Sequence, residues 1–328
     1  MSRTTAFSGD LNAAKQLKRL RCLPVSLAAG LVMLSGVRPF PGVVLEQSPN
    51  PDDSTHFTDD ASVSLDVKQV SVKVRDRLTI QDITYAGSHG DTVPAYFVIP
   101  KGTGKFAGVI WGHWLMPCAT NSNREELSEE EIALAPAGAN SLLIDAPQSR
   151  PNFKPAPDSA LVARQVVDLR RGLDFLHSRP DIERARIAYV GHSWDAGTWA
   201  ILDATDKTFA AFAFMSGPQS TREYVLSSDP PRMVPLPKTT DMAKVEHNLK
   251  ANAWADPASY ANKLGPAPAL FQYGLHDVYW VPLADAKDYV AMSSGPKTTE
   301  FYDAEHALNA KARMDHDTFL PKTINLIP

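Results

Sequence analysis

Between residues 106 and 320, short apolar runs alternate with stretches of helical periodicity, and this alternation restricts the chain more than any other feature. FAGVIWGH (106–113), SLLID (141–145), RIAYVGHS (186–193), FAAFAFMSG (209–217) and PAPALFQYG (266–274) are too short for typical helices and too continuously apolar for strands with one wet face. Runs of this kind belong to a sheet covered by helices on both faces, which is mainly parallel. The intervening segment 158–178 carries Val162, Val166, Leu169, Leu173 and Leu176 on one helical stripe, with Asp158 as a cap at its start and Pro180 just beyond its end. Further helices are expected over 123–137, 194–204, 281–292 and 308–320, and a last strand at TTEFYD (298–303). Upstream, LTIQDITYAG (78–87) and TVPAYFVIP (92–100) flank SHGD and read as a hairpin, an antiparallel edge to the sheet. The rhythm breaks over 218–265, where Pro230, Pro231, Pro235 and Pro237 precede one helix-like stretch at 240–250; this reads as an insertion or lid within a folded domain over 69–328.

The N-terminus has a different character. Residues 1–21 hold Arg3, Lys15, Lys18, Arg19 and Arg21 against Asp10 alone, and residues 22–37 are uncharged and largely apolar. A basic stretch before an apolar run too short for an ordinary membrane span reads as an export signal, with an uncleaved membrane anchor as the alternative. Residues 38–68, rich in Pro, Asp and Ser, read as a solvated linker. The whole chain of 328 residues has 33 Lys plus Arg against 37 Asp plus Glu, a formal charge of -4. No basic excess exists to neutralise phosphates, so nucleic acid is not an expected partner. Two cysteines, Cys22 and Cys118, make neither a disulfide scaffold nor a cysteine-rich metal site. H-E-x-x-H, C-x-x-C and a glycine-rich phosphate loop are all missing, so neither metal nor nucleotide cofactor is expected.

The strongest local signal is YVGHSWDAG (189–197), a strand running into Gly191-His192-Ser193 and then directly into a helix. A serine on such a turn is exposed at a helix N-terminus, where unpaired N–H groups stabilise negative charge. The motif G-x-S-x-G is incomplete, because Asp195 stands at the closing glycine. Two later strands end in the residues that a serine nucleophile needs: Asp277 after PAPALFQYG, and His306 after TTEFYD. Serine, acid and histidine thus follow in the chain order of a strand-end triad. Taken singly, Ser193 also fits a helix cap, Asp277 a cap of the helix at 281, and His306 a surface turn. His276 and His192 are weaker competitors, the latter pointing away from the nucleophile, and Asp315-His316-Asp317 reads as a solvated helical face.

These residues resemble the α/β-hydrolase superfamily, over about 77–322. GHWLMPCATNSNREELSEEEIALAPAGANSLLIDAPQSRP (112–151), VGHSWDAG, FQYGLHDVYWVP and YDAEHALN are similar to a branch of bacterial esterase or dienelactone-hydrolase-like proteins. The resemblance implies an α/β-hydrolase fold with Ser193 as nucleophile, Asp277 as acid and His306 as base. It also implies that the strand at 106–113 leads into an oxyanion loop in which His113 matches the usual histidine. The oxyanion donors are then the N–H of Trp194 and one from the Trp114 region, Trp114 itself or Leu115. Trp114 stands where glycine is common, and Asp195 replaces a small residue, so its carboxylate is expected to turn away from the oxyanion. Trp114, Trp194 and Trp280 near the site suggest an apolar or aromatic substrate group, with ordinary packing as the alternative. Cys118 reads as a bystander, and Arg150 as a contact for an anionic substrate or a member of a surface ion pair. The function expected is cleavage of a small carboxylic ester through an acyl-enzyme. Alternatives are a prolyl-oligopeptidase-like peptidase, which the short N-terminal region disfavours, and a binding protein without catalysis.

Overall fold

A computed structural model of the chain describes residues 54–326 apart from 61, 76, 117–118, 155, 218–219, 227–238 and 278–279. The basic and apolar N-terminal segment and Cys118 therefore lie outside the described residues. In chain order the strands and helices are β1 (Lys68–Arg75), β2 (Leu78–Ala86), β3 (Thr92–Pro100), β4 (Phe106–Gly112), α1 (Ser128–Leu134), β5 (Ala139–Ile144), α2 (Asp158–Ser178), β6 (Ile182–His192), α3 (Trp194–Thr205), β7 (Ala211–Met215), α4 (Thr221–Leu226), α5 (Met242–Ala251), β8 (Ala269–Gly274), α6 (Leu283–Met292), β9 (Lys297–Tyr302) and α7 (Ala310–Thr323). Among the described residues nine strands form one sheet in the order β1-β2-β3-β5-β4-β6-β7-β8-β9. The first three strands pair antiparallel with one another, β3 pairs antiparallel with β5, and every later pairing is parallel.

The hairpin read from the sequence is β2–β3, in register from Leu78 opposite Pro100 to Ala86 opposite Thr92. Outside it lies β1, which the sequence reading did not anticipate. Its eight residues, KQVSVKVR, alternate Val70, Val72 and Val74 with polar side chains, a period-two strand signal, although all eight are exposed and the valine face is left uncovered by the described residues. By contrast β5, β7 and β8 are buried throughout, the pattern of strands covered on both sides. One face packs against α2, α3 and α6, with Trp199 of α3 fully buried 4.4 Å from the Phe212 ring and 3.8 Å from that of Phe214. The other face packs against α1 and α7 through Leu134, Leu320 and Trp111. Among the described residues no helix is long and apolar enough to cross a membrane.

Several readings need correction. The helix expected over 123–137 is confined to α1, preceded by turns and followed by a 3-10 turn at Ala135–Ala137, since Pro136 cannot supply the N–H that would extend it. Asp158 is the first residue of α2 rather than its cap, which is Pro157, and makes no capping bond. The described end of the segment read as a solvated linker, 38–68, is docked on the body. Ser54–Phe57 forms a 3-10 turn, Phe57 is fully buried beside Trp254 and Tyr260, and the Arg170 guanidinium of α2 donates to its carbonyl. Finally, His316 is fully buried on the inner side of α7, with Nδ1 3.3 Å from Gln272 Oε1, and burial pushes its pKa down to about 3.

Part of the insertion read at 218–265 lies outside the described residues. Its later half is core rather than cover: Trp254, Tyr260 and Ala261 are buried, and the 3-10 helix Pro257–Lys263 packs among the residues of α3 and α6. The Asp256 carboxylate accepts the N–H groups of Thr221 and Arg222 at 3.1 and 3.2 Å, which caps α4 from this core segment. Helix α5 has no buried residue.

Candidate active site

Ser193 joins β6 to α3 at φ +56° and ψ -114°, a conformation that residues with a Cβ seldom adopt and that stores strain of about 1–3 kcal/mol. The turn is held by the Ser193 N–H, which donates to Met215 O at 2.8 Å. Two glycines leave the space it needs. A Cβ at Gly191 would lie 2.9 Å from Ala196 N, and one at Gly217, after β7, would lie 2.6 Å from Ser193 O. A third glycine explains how Asp195 is tolerated. A Cβ at Gly112, the last residue of β4, would stand 2.7 Å from both Asp195 Cβ and Asp195 Oδ2. The clearance usually supplied within the motif here comes from the neighbouring strand.

Asp277 and His306 stand beyond the ends of β8 and β9, on turns that interlock. Leu275 N–H donates to Tyr302 O at 2.8 Å and His276 N–H to Ala304 O at 2.9 Å. Gly274 permits this approach, since a Cβ there would lie 2.5 Å from the carbonyl oxygens of Ala304 and Glu305. The three residues singled out in the sequence meet: His306 Nε2 is 2.7 Å from Ser193 Oγ, and His306 Nδ1 is 2.6 Å from Asp277 Oδ2. The Trp280 N–H donates to the other oxygen, Asp277 Oδ1, at 3.1 Å. Ser193 and Trp194 are half-buried, whereas Asp277 and His306 are buried. Burial pulls the His306 pKa below the ordinary histidine value, outweighing its hydrogen bond to Asp277, and the adjacent His192 pulls in the same direction. A neutral imidazole, able to accept the serine proton, is thereby favoured near neutrality.

The carboxylate of Asp195 turns into the interior, as the sequence reading expected. Its Oδ1 accepts from Gln165 Nε2 of α2 at 2.7 Å and lies 3.2 Å from Thr198 Oγ1, while Oδ2 has no partner among the described residues. Burial raises its pKa to about 6. An unfolded aspartate titrates near 3.9, so below that value both states are protonated and the group costs nothing. As pH rises from 4 to 6 the unfolded chain ionises first, and stability falls until the folded group has ionised as well. Replacing Asp195 by Asn removes this titration. The stability of Asp195→Asn relative to the parent should therefore improve by roughly 1–3 kcal/mol between pH 4 and pH 7. Denaturant unfolding of both proteins at the two pH values measures the difference; a constant difference would contradict the assignment.

In the loop after β4, one of the two amides named from the sequence as oxyanion donors is taken. The Trp114 N–H donates to Glu126 Oε2 at 2.7 Å, so Trp114, named from the sequence as an oxyanion donor, is already engaged. His113 folds the loop from the other side. Its Nδ1–H donates to Trp114 O at 2.6 Å, and its Nε2 accepts from Ala146 N–H at 3.0 Å. The next amide, that of Leu115, has no partner among the described residues, and Trp194 N–H stands at the first position of α3, where no intrahelical acceptor exists. Glu126 was not singled out from the sequence, because its role rests on a contact to His192, 66 residues away.

Other candidates fall away from the site. Arg150 forms an internal ion pair rather than a surface one: it is bound to the Asp145 carbonyl at 3.0 and 3.1 Å and to the buried Asp168 carboxylate at 2.5 Å. His276 is exposed, with Nε2 2.6 Å from Asp303 Oδ1. The Trp280 ring lies 5.6 Å from that of His306, at the site as anticipated. Among the described residues no group of three or more His, Cys, Asp or Glu side chains is arranged to hold a metal.

No protein-family model matches the sequence. No curated protein matches it either. Solved structures do. An acetyl xylan esterase from Paenibacillus sp. R4 aligns with a TM-score of 0.64 at 18% identity, over 79% of this chain and 89% of its own. Acetyl xylan esterase 1 from Thermoanaerobacterium sp. JW/SL YS485 aligns with a TM-score of 0.66 at 15% identity, over 84% and 95%. A dienelactone hydrolase from Anabaena variabilis ATCC 29413 aligns with a TM-score of 0.52 at 17% identity, over 77% and 100%. At these identities the likeness establishes architecture, and the architecture is the α/β-hydrolase fold.

Proposed function

We propose that this chain is a serine hydrolase that cleaves carboxylic esters of small molecules. The observation that carries the reading is the relay of Ser193 Oγ, His306 and Asp277 at 2.7 and 2.6 Å, mounted on a strained strand-to-helix turn. In this reading Ser193 Oγ attacks the acyl carbonyl as His306 Nε2 takes its proton, and Asp277 holds the imidazolium in place. The tetrahedral oxyanion is met by the N–H groups of Trp194 and Leu115, each worth about 3 kcal/mol by analogy with measured removals of such donors. Collapse passes the proton from His306 to the leaving alkoxide and leaves an acyl-serine. Water, deprotonated by the same histidine, then releases the acid and restores the serine. The esterases and dienelactone hydrolase that share the fold support the ester assignment. The basic and apolar segment over 1–37 supports export as the proposed location, with membrane anchoring as its variant.

A fluorophosphonate probe tests the central claim, because only an activated serine displaces its leaving group. Stoichiometric labelling that peptide mapping places on Ser193, together with turnover of p-nitrophenyl acetate, is the expected result. A protein that neither labels nor turns over esters would be a binding protein on a hydrolase fold, and the reading would fall.

A further inference from the structure

Behind His306 lies a second histidine–carboxylate pair that the mechanism above does not use. His192, one residue before the nucleophile, is buried, and so is Glu126, from the turn before α1. His192 Nδ1 lies 2.5 Å from Glu126 Oε1, and His192 Nε2 lies 3.1 Å from the main-chain oxygen of His306. Both ring nitrogens thus face oxygen acceptors, and a ring satisfies both contacts as a donor only when doubly protonated. The second oxygen of Glu126 accepts the Trp114 N–H at 2.7 Å. The His192 ring itself stacks between those of Trp114 and His306, with centroids 5.1 and 5.5 Å away. Ser216 Oγ adds a second donor to the His306 carbonyl at 2.7 Å.

We infer that Glu126 and His192 are a positioning pair, an internal carboxylate–imidazolium strut that ties the loop after β4 to the loop bearing His306. The inference rests on the reading of Ser193 as the nucleophile of an ester hydrolase. One end of the strut takes the Trp114 N–H out of play and so leaves the following amide, Leu115, to face the oxyanion. The other end holds the backbone of His306 while Asp277 holds its ring. Among the hydrogen bonds of the described residues, this pair forms the link between the two loops, so a fault in the pair misplaces oxyanion donor and general base together. Directions of titration agree with the geometry. Burial pushes Glu126 up and His192 down, but their mutual attraction reverses both, leaving the carboxyl below its ordinary range and the imidazole above. The same positive ring favours neutrality of His306, the form that accepts a proton.

Three variants and one spectroscopic measurement test it. Glu126→Ala frees the Trp114 amide and leaves His192 without its counter-ion. Loss of an aligned oxyanion donor costs about 10²- to 10³-fold in kcat, and Glu126→Ala should lower kcat by about 10²-fold with KM changed less than about threefold. Glu126→Gln retains an acceptor for Trp114 and offers its NH₂ to a neutral His192 Nδ1, while His192 Nε2–H still reaches the His306 carbonyl. It should therefore stay within about fivefold of the parent, a rescue that mere packing damage would not show. His192→Phe keeps the stacked ring but loses both hydrogen bonds, and should lose about tenfold or more in kcat. Independently of activity, the ¹⁵N shifts of His192 at pH 7 should report two protonated nitrogens in the parent and one in Glu126→Gln. A kcat within threefold of the parent for Glu126→Ala or His192→Phe, Glu126→Gln as slow as Glu126→Ala, or a singly protonated His192 in the parent would each overturn the inference. If Glu126→Ala does not fold, the other two variants and the ¹⁵N shifts decide. A parent protein without ester turnover or fluorophosphonate labelling would defeat the functional reading instead, and the ¹⁵N shifts would still decide the state of the pair.

Discussion

Replacing Ser193 with alanine is expected to lower kcat toward p-nitrophenyl esters by roughly 10⁵- to 10⁶-fold while leaving the fold intact. The kinetic half follows from the chemistry, since no other hydroxyl contacts His306 Nε2 among the hydrogen bonds of the described residues. Water admitted in place of the Oγ would meet the same donors and base, so a residue of catalysis above the uncatalysed rate should survive. The structural half follows from the surroundings of the side chain. Among the described residues Ser193 Oγ has no hydrogen-bond partner beyond His306, and alanine occupies φ +56° at much the same strain as serine. Unfolding free energies of the two proteins should therefore agree to within about 1 kcal/mol. Turnover undiminished in Ser193→Ala would remove the nucleophile from the mechanism, whereas loss of fold would show that the turn depends on the hydroxyl.

Ser193 and Asp277 were legible from sequence because each follows an apolar run that reads as a buried strand, and His306 because it follows a strand, largely exposed, that runs parallel beside that of Asp277; parallel strands deliver their carboxyl ends to one edge of the sheet. Distance along the chain did not obscure them, since topology does the gathering. What stayed hidden depends on pairings with no periodic signature. Glu126 looks like one acid among several before α1, and only the folded loop shows that it captures the Trp114 amide. His192 was read as pointing away from the nucleophile; its nitrogens do face elsewhere, yet its ring stacks on His306. Asp195 broke the expected motif until Gly112, at the end of a strand 83 residues earlier, accounted for the space. Phe57 sits in a polar, proline-containing stretch whose composition says linker, and one buried aromatic is too little signal to reverse that. His316, flanked by aspartates, reads as exposed because the helical stripe facing the sheet there is short.

The second large effect concerns Asp277, and its direction depends on a hydrogen bond that is easily overlooked. Asp277→Asn keeps size and shape, so a view based on packing predicts a mild defect. The side chain, however, faces two donors: Trp280 N–H at Oδ1 and His306 Nδ1–H at Oδ2. An asparagine has one acceptor and one donor to offer. If its oxygen faces Trp280, the NH₂ faces His306 Nδ1, which must then accept, and the proton moves to Nε2. In that tautomer His306 donates to Ser193 rather than taking its proton, and the base is lost. The opposite rotamer would set the NH₂ against the Trp280 N–H, two donors face to face in a buried position, which costs about 1–3 kcal/mol. The wrong tautomer is thus the favoured outcome, and kcat should fall by about 10⁴-fold. Asp277→Ala removes the orienting group without imposing a tautomer, so His306 retains access to the form with a proton on Nδ1. The prediction is an ordering as well as a size: the asparagine variant should be no faster than the alanine variant at pH 7, despite being the more conservative change. Steady-state kcat for both variants on one p-nitrophenyl ester decides it. An asparagine variant clearly faster than alanine would show that Asp277 acts through packing and not by fixing where the histidine proton sits.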